Sequence, residues 1–396
     1  MEYIFSDKLA ALKPSAIREI FKSLADPTII SFAAGNPAAE SFPVAELSAL
    51  SADIFKECAA TALQYGMTEG YPPLREAIAT RQRDVFGIGG EGDSTIVVSG
   101  GQQGIELACK ALCNEGDVVL CENPSFIGAL NAFRSCGART VGIPMGEDGI
   151  DPAALEQAIR DNPRAKMIYL IPTFQNPTGI TTSEAKRRQI LEIAKRYSLP
   201  ILEDNPYGEL RFAGEEIPTL KSLDTDGLVV YCSSFSKILS AGMRVGFVIG
   251  PDALVSKMVV AKQSEDVHTN LFFQMLCHRF MTECDLDGHI EKIRALYRRK
   301  CDLMLGELAK NLPTEVTFTR PEGGLFIWCT LPEDADMNAF VKRAIEKKVA
   351  VVPGTTFNCD TTAPSSSFRL NYSTPTDEQI VEGCKRLGEA AREFLK

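Results

Sequence analysis

Hydrophobic and polar positions along the 396-residue chain follow several different periods. Residues 44–63 and 73–86 place apolar side chains at the three-to-four-residue spacing of an amphipathic helix. Beyond them, short apolar runs alternate with helical stretches. STIVVSGG is followed by GIELACKALC, DVVLCENPS by GALNAFRSCG, and KMIYLIPTFQNPTG by SEAKRRQILEIAKRYS, whose last turn carries Lys and Arg. RTVGIPM, PILEDNPYG, GLVVYCSSFSK and RVGFVIG read as further strands. The strands are nearly continuous apolar runs, as burial on both faces requires. Strands alternating with helices predict an α/β fold with a mostly parallel sheet covered by helices on both faces.

From residue 255 to 310 the pattern is helical, with one long helix around EKIRALYRRKCDLMLGELAKNL. After that it changes. TFTRPEGGLFIWCTL, VAVVPGTTF and SSFRLNYS read as strands, and 336–348 and 376–395 as helices, which predicts a smaller α+β domain at the C-terminus. The first forty residues read as an arm, a short amphipathic stretch and then the turn-rich SFAAGNPAAESFP. There is no internal repeat and no low-complexity tract.

Composition narrows the possible functions. At about 100–200 residues per domain, the length predicts two or three domains with a large core. A net charge of −10 argues against an extended nucleic-acid surface, while leaving room for a local basic pocket for a small anion. The 12 cysteines are scattered singly, without a Cys-x-x-Cys pair, and MEYIFSDKLAALKPSAIREI has no secretory pattern. Reduced, mostly buried thiols in a cytoplasmic protein are expected. No uncharged apolar run reaches the roughly 18 residues of a membrane helix.

The candidate chemistry lies where strands end, which in open α/β sheets is where ligands bind. Ser99-Gly100-Gly101-Gln102-Gln103-Gly104 joins a strand to a helix, and its small residues and helix N-terminus suit an anion. Taken alone, an ordinary glycine turn capped by Ser99 is the better account. Asn176-Pro177-Thr178-Gly179 is by itself a turn. Asp204, at the end of the LPILE run, is a carboxylate that burial would force to find a partner, a protonated ring nitrogen or, more commonly, an N-cap or ion pair. Lys237 ends the hydroxyl-rich run Ser233-Ser234-Phe235-Ser236. Most lysines are solvated, but one desolvated beside other cations has a lowered pKa and serves as an amine nucleophile. The neighbouring hydroxyls and Arg244 suit a phosphate.

In this order the segments LQYGMTEGYPPLR, SGGQQG, NPTG, EDNPYGELRF, SSFSKILSAGMRVGF and FRLNYS resemble the class I/II aminotransferases of the aspartate aminotransferase fold. The resemblance runs from about Gly35 to Arg369 and is nearest to the kynurenine/2-aminoadipate aminotransferase-like subgroup. It implies a pyridoxal 5′-phosphate enzyme with a large cofactor domain (46–285). A smaller domain would be built from the C-terminal region (286–396) and part of the N-terminal arm (1–45).

It further implies that Lys237 forms the Schiff base with the cofactor and shuttles a proton. Asp204 would pair with the pyridinium nitrogen, and Asn176 and Tyr207 would hydrogen-bond the phenolic oxygen. Gly101 and Gln102 match the backbone half of a phosphate cradle, and Ser234, Ser236 and Arg244 its side-chain half. Phe126 stands where an aromatic stacks on the cofactor ring, often a Tyr in related enzymes. Tyr65 matches a tyrosine reaching the phosphate of a neighbouring subunit, which implies a homodimer with shared active sites. Arg369 matches the arginine that grips the substrate α-carboxylate, with Asn176 and Asn36 also on the substrate side. A surface arginine on an edge strand is the alternative for Arg369. Alternation with Phe368 and Leu370 argues against it.

Other features read as structural. GIGGEG at 87–92 fits a dinucleotide-binding pattern, but a helix precedes it and a strand follows, so it reads as a loop. His268, His278 and His289 lie in helical regions without metal-ligand spacing. Asn371-Tyr372-Ser373 fits a glycosylation acceptor that a cytoplasmic protein would not use. KRRQILEIAKR reads as a solvated charged helix face. The expected reaction is amino-group transfer from an aromatic, branched-chain or aminoadipate-like L-amino acid to a 2-oxo acid such as 2-oxoglutarate. A β-lyase on the same scaffold and a cofactor-binding sensor module are the alternatives.

Overall fold

The computed structural model describes residues 3–10 and 26–396. Most of the N-terminal stretch read for amphipathic and signal content lies outside them. The strands are β1 (Ile30–Ser31), β2 (Asp93–Val98), β3 (Val118–Asn123), β4 (Arg139–Gly146), β5 (Gly149–Ile150), β6 (Ala165–Leu170), β7 (Ile201–Asp204), β8 (Val229–Ser234) and β9 (Gly246–Pro251). After a helical region come β10 (Thr317–Phe318), β11 (Phe326–Thr330), β12 (Val349–Ala350), β13 (Val352–Pro353) and β14 (Ser367–Asn371).

The large sheet has the order β2-β9-β8-β7-β6-β3-β4-β5. The five central strands, β8, β7, β6, β3 and β4, are mutually parallel, and β9 and β5 pair antiparallel with their neighbours. All four residues of β7 are buried, as are the last four of β6, so the continuous apolar runs reflect helices on both faces. Close helix–sheet approach is built into the sequence at Gly104, where a Cβ would stand 2.8 Å from Cys232 Sγ and 2.8 Å from Val248 Cγ2.

The smaller sheet is antiparallel, β10-β11-β14-β13. β1 pairs in parallel with β12, which ties the N-terminal segment to the C-terminal region. The helix Asp377–Phe394 across this unit starts with a capping box, in which Gln379 N donates to Thr376 Oγ1 and Thr376 N to Gln379 Oε1. A cap of this kind contributes about 1 kcal/mol.

Several expectations change. TFTRPEGGLFIWCTL is two strands with a turn between them, because the PEGG run cannot extend. VAVVPGTTF divides into β12, β13 and a 3-10 turn at Gly354–Phe357. The helix Pro152–Asp161 escaped the pattern, although Asp151 caps it from Ala153 N and Ala154 N and Pro152 occupies its first turn. His268 lies in a bend rather than a helix.

The charged face of KRRQILEIAKR is not wholly solvated. Arg187 is fully buried and donates to the carbonyls of Thr182, Pro218 and Pro172 and to Thr173 Oγ1, at 2.7–3.0 Å. It shares a stripe with buried Ile190 and Ala194, and carbonyl acceptors replace water around its guanidinium. All 12 cysteines are free thiols. Among the described residues, no helix is long and apolar enough to cross a membrane.

Candidate active site

The carboxyl ends of β6, β7 and β8 open onto a cavity of about 400 Å³ that the small sheet closes from the other side. Of the residues nominated from sequence, all except Tyr65 line it: Gly101, Gln102, Phe126, Asn176, Asp204, Tyr207, Ser234, Ser236, Lys237, Arg244, Arg369 and Asn36. They come from distant parts of the chain and are assembled by strand order.

Asp204 ends β7 and is buried. Its Oδ2 accepts a hydrogen bond from Tyr169 Oη at 2.8 Å, and burial pushes its pKa up to about 7. A carboxyl held this way favours a cationic partner delivered from the cavity. Lys237 follows β8 on a single π-helical turn, Ser236–Ser240. Its ammonium donates to the Gly35 carbonyl at 2.7 Å. Burial, with Arg369 and Arg244 nearby, lowers its pKa to about 8.

Arg369 lies on β14, which is internal to its sheet. The edge-strand alternative is thereby removed. Every residue of β14 is buried, so the face opposite Phe368 and Leu370 is covered by the cavity wall rather than by water. Arg369 Nη1 donates to Asn176 Oδ1 at 2.8 Å and Nη2 to the Ala33 carbonyl at 2.9 Å. Its guanidinium lies 4.2 Å from the Phe326 ring centre and 5.0 Å from that of Phe357. Burial lowers its pKa to about 10, which leaves it a cation at neutral pH. Its buried Nε has no hydrogen-bond partner among the described residues.

Tyr207 is buried, and burial pushes its hydroxyl pKa up. The neighbouring Asn176 side chain acts in the opposite direction on that hydroxyl, and the Phe326 ring meets the tyrosine edge-on at 5.9 Å. At the other end of the cavity, Gly100 caps the helix Gly101–Leu112 with φ 81°, a conformation suited to glycine. Arg244 Nη2 reaches the Ser99 carbonyl at 3.3 Å. Ser236 N donates to Ser234 Oγ at 3.2 Å. Gln102 Nε2 donates to the Gly128 carbonyl at 2.9 Å, beside Phe126.

The inventory fits pyridoxal phosphate. Among the described residues no cation pairs with the buried carboxyl, an amine is desolvated, and a helix N-terminus with two hydroxyls and an arginine suits a phosphate. Tyr65 stands apart, 81% exposed, with its ring edge-on to His268 at 5.8 Å. Sequence reading missed Tyr169, Phe326, Phe357 and the Gly35 carbonyl. A tyrosine inside an apolar strand needs a buried partner for its hydroxyl, and that signal was available at Tyr169.

Comparison with known proteins places the chain. The sequence profile of aminotransferase class I and II matches residues 27–387. An aromatic-amino-acid aminotransferase of Thermococcus litoralis is 39% identical, over 100% of this chain and 95% of its own length. The crystal structure of Pyrococcus horikoshii kynurenine aminotransferase, in complex with pyridoxamine phosphate, kynurenine and kynurenic acid, superposes with a TM-score of 0.95. That relative is 38% identical, with 99% of this chain and 98% of the other covered. The α-aminoadipate aminotransferase of Thermus thermophilus, bound to N-(5′-phosphopyridoxyl)-L-leucine, superposes at 0.90 with 38% identity, over 99% and 98% of the two chains. With this fold and this cavity, the chain belongs to the class I and II aminotransferases, enzymes that work with pyridoxal phosphate.

Proposed function

We propose that the protein transfers the amino group of an aromatic, branched-chain or aminoadipate-like L-amino acid to a 2-oxo acid such as 2-oxoglutarate. The observation that carries this reading is Arg369. It places a carboxylate-binding guanidinium beside the Phe326 and Phe357 rings, in the cavity that also holds the desolvated amine of Lys237. The names of the relatives, which concern aromatic, kynurenine and aminoadipate donors, support the choice of donor class.

When bound, pyridoxal phosphate supplies the electron sink for breaking the Cα–H bond. This chain supplies the rest. Lys237 is the amine that would hold the cofactor, and its desolvated nitrogen is the base that would take and return the Cα proton. Asp204, with Tyr169 behind it, carries the charge that keeps the ring nitrogen protonated. Tyr207 and the amide nitrogen of Asn176 would donate to the phenolic oxygen, since Asn176 Oδ1 already accepts from Arg369. Gly101, Gln102, Ser234, Ser236 and Arg244 would hold the phosphate, and Phe126 would flank the ring. Arg369, with Asn176 and Asn36, orients the α-carboxylate.

In this reading the chain divides into an arm (1–45), a large domain (46–285) and a small domain (286–396). It acts as a cytoplasmic homodimer. Exposed Leu63, Tyr65, Met67 and Val267 support the dimer, because they crowd one surface where Tyr65 could reach a partner's phosphate site. Free thiols at all 12 cysteines suit a reducing compartment.

Absorbance spectra of the purified protein, before and after a panel of amino acids, test the function. A yellow protein bleached by these donors and restored by 2-oxoglutarate supports it. Release of ammonia and pyruvate instead would replace it with the lyase reading.

A further inference from the structure

Gln175, the residue before Asn176, is fully buried, and its side chain makes four hydrogen bonds. Its amide nitrogen donates to Glu122 Oε2 at 3.1 Å and to the Pro124 carbonyl at 2.8 Å. Its amide oxygen accepts from Thr178 N at 2.9 Å and Thr178 Oγ1 at 2.7 Å. The Pro124 carbonyl can only accept and Thr178 N can only donate, so the orientation of the amide is fixed. One side chain therefore fastens the end of β3, just before Phe126, to the turn that carries Asn176.

The anchor on the β3 side is itself held. Glu122 is buried, and its Oε2 also accepts from Ile171 N at 3.1 Å, just beyond the end of β6. The turn is constrained on its other flanks. Phe174 has φ 51°, a left-handed conformation that is strained for a bulky residue and persists only where the surroundings enforce it. Arg211 lies 4.7 Å from its ring centre. Thr319 Oγ1, from the small-sheet side, donates to the Thr178 carbonyl at 2.8 Å. These contacts restrain the turn on several sides, and Gln175 is the residue that precedes Asn176 in it.

We propose that Gln175 is a positioning residue of the active site. It sets the direction of the Asn176 amide, and through it both the donor offered to the cofactor's phenolic oxygen and the acceptor offered to Arg369. The proposal rests on the role assigned above to Asn176. Gln175 lines no part of the cavity, so any effect of changing it on the bound cofactor must pass through its neighbours.

The test uses the holoenzyme and the pH midpoint of the visible absorption of its bound cofactor. A donor to the phenolic oxygen stabilises that oxygen's anion and keeps the midpoint low. Gln175→Met keeps the length of the side chain and removes its hydrogen bonds. It is expected to raise the midpoint by roughly 0.5 to 1 pH unit, the scale of one ordinary net hydrogen bond weakened rather than of a charge-assisted one lost. KM for the amino acid should rise while cofactor stoichiometry holds. Asn176→Ala should raise the midpoint as well, and adding Gln175→Met to it should move the midpoint no further.

If Gln175→Met does not fold, Thr178→Val, which removes a hydroxyl that donates to Gln175 and accepts from Ile180 N, should shift the midpoint in the same direction by less. A lower melting temperature with an unmoved midpoint would make Gln175 purely structural and overturn the proposal. If Asn176→Ala itself leaves the midpoint unchanged, the role given to Asn176 fails, independently of Gln175.

Discussion

Tyr169 donates its hydroxyl to Asp204 Oδ2 at 2.8 Å, the one hydrogen bond that the described residues supply to this buried carboxyl. Burial raises the Asp204 pKa from 3.8 to about 7. Without cofactor, the folded chain therefore keeps a proton that the unfolded chain releases. Its contribution to stability is full below the ordinary carboxyl range and is lost as pH rises from about 4 to about 7. Asp204→Asn should remove this dependence. The apo variant is expected to melt above apo wild type at pH 8, with the gap closing near pH 4, while transamination falls at least about 100-fold. Thermal melts of both apo proteins across that range check the first half. Parallel curves would show that Asp204 is not held neutral.

Lys237 behaves in the opposite sense. Its pKa is lowered from 10.5 to about 8, by burial first and then by Arg369 and Arg244. Only the free amine can attack the cofactor's aldehyde. The rate at which apo protein takes up pyridoxal phosphate covalently should therefore climb with pH and level off above about 8, as stopped-flow absorbance would read it. A climb continuing toward 10.5 would mean that the pocket does not desolvate the lysine. Lys237→Ala should keep the fold and lose turnover, and full activity would remove Lys237 from the site.

The architecture was legible because both periodicities are strong. The apolar run 199–202 leads into β7, which is buried on both faces, and β14 alternates, and each reads directly as a strand. The cavity was legible because polar residues that end buried strands stand out against the runs before them. What stayed hidden depends on which side chains share a face across the fold. Arg187 looked solvated because its segment is rich in charge, yet its place three residues before Ile190 puts it on the buried stripe. Phe326 and Phe357 could not be linked to Arg369 by spacing, since one lies on a neighbouring strand and the other in a 3-10 turn. Gln175 was masked by its neighbours, because a turn sequence does not reveal that its first side chain faces inward.

Arg369→Lys tests recognition of the carboxylate. The guanidinium spends its two terminal nitrogens on Asn176 and Ala33 and lies beside Phe326 and Phe357. An ammonium cannot make the bidentate contact or the same stacking. KM should rise roughly 10- to 100-fold for donor and acceptor alike, the scale of one or two charge-assisted hydrogen bonds. Steady-state kinetics with an aromatic donor and with 2-oxoglutarate would show it. A rise confined to 2-oxoglutarate would assign Arg369 to a side-chain carboxylate instead.

Lys262 links the phosphate end of the cavity to the surface that carries Tyr65. It is fully buried, and its ammonium donates to Gln103 Oε1 at 2.6 Å, Thr269 Oγ1 at 3.1 Å and both Asp266 oxygens at 2.8 and 2.9 Å. Gln103 Oε1 also accepts from Ser99 N at 2.8 Å, and Ser99 Oγ donates to Asp266 Oδ2 at 2.6 Å. Ser99, which leads into the phosphate-binding turn, is thus held through its amide and its hydroxyl by groups that Lys262 organises. Lys262→Met would leave the Asp266 carboxylate uncompensated behind that turn, where it repels phosphate. Cofactor dissociation, measured by dilution into a trap for free aldehyde, should quicken at least about tenfold. Adding Asp266→Asn should recover part of the loss, because the second change removes the stranded charge. A variant that melts earlier yet holds its cofactor as tightly as wild type would confine this cluster to stabilising the fold.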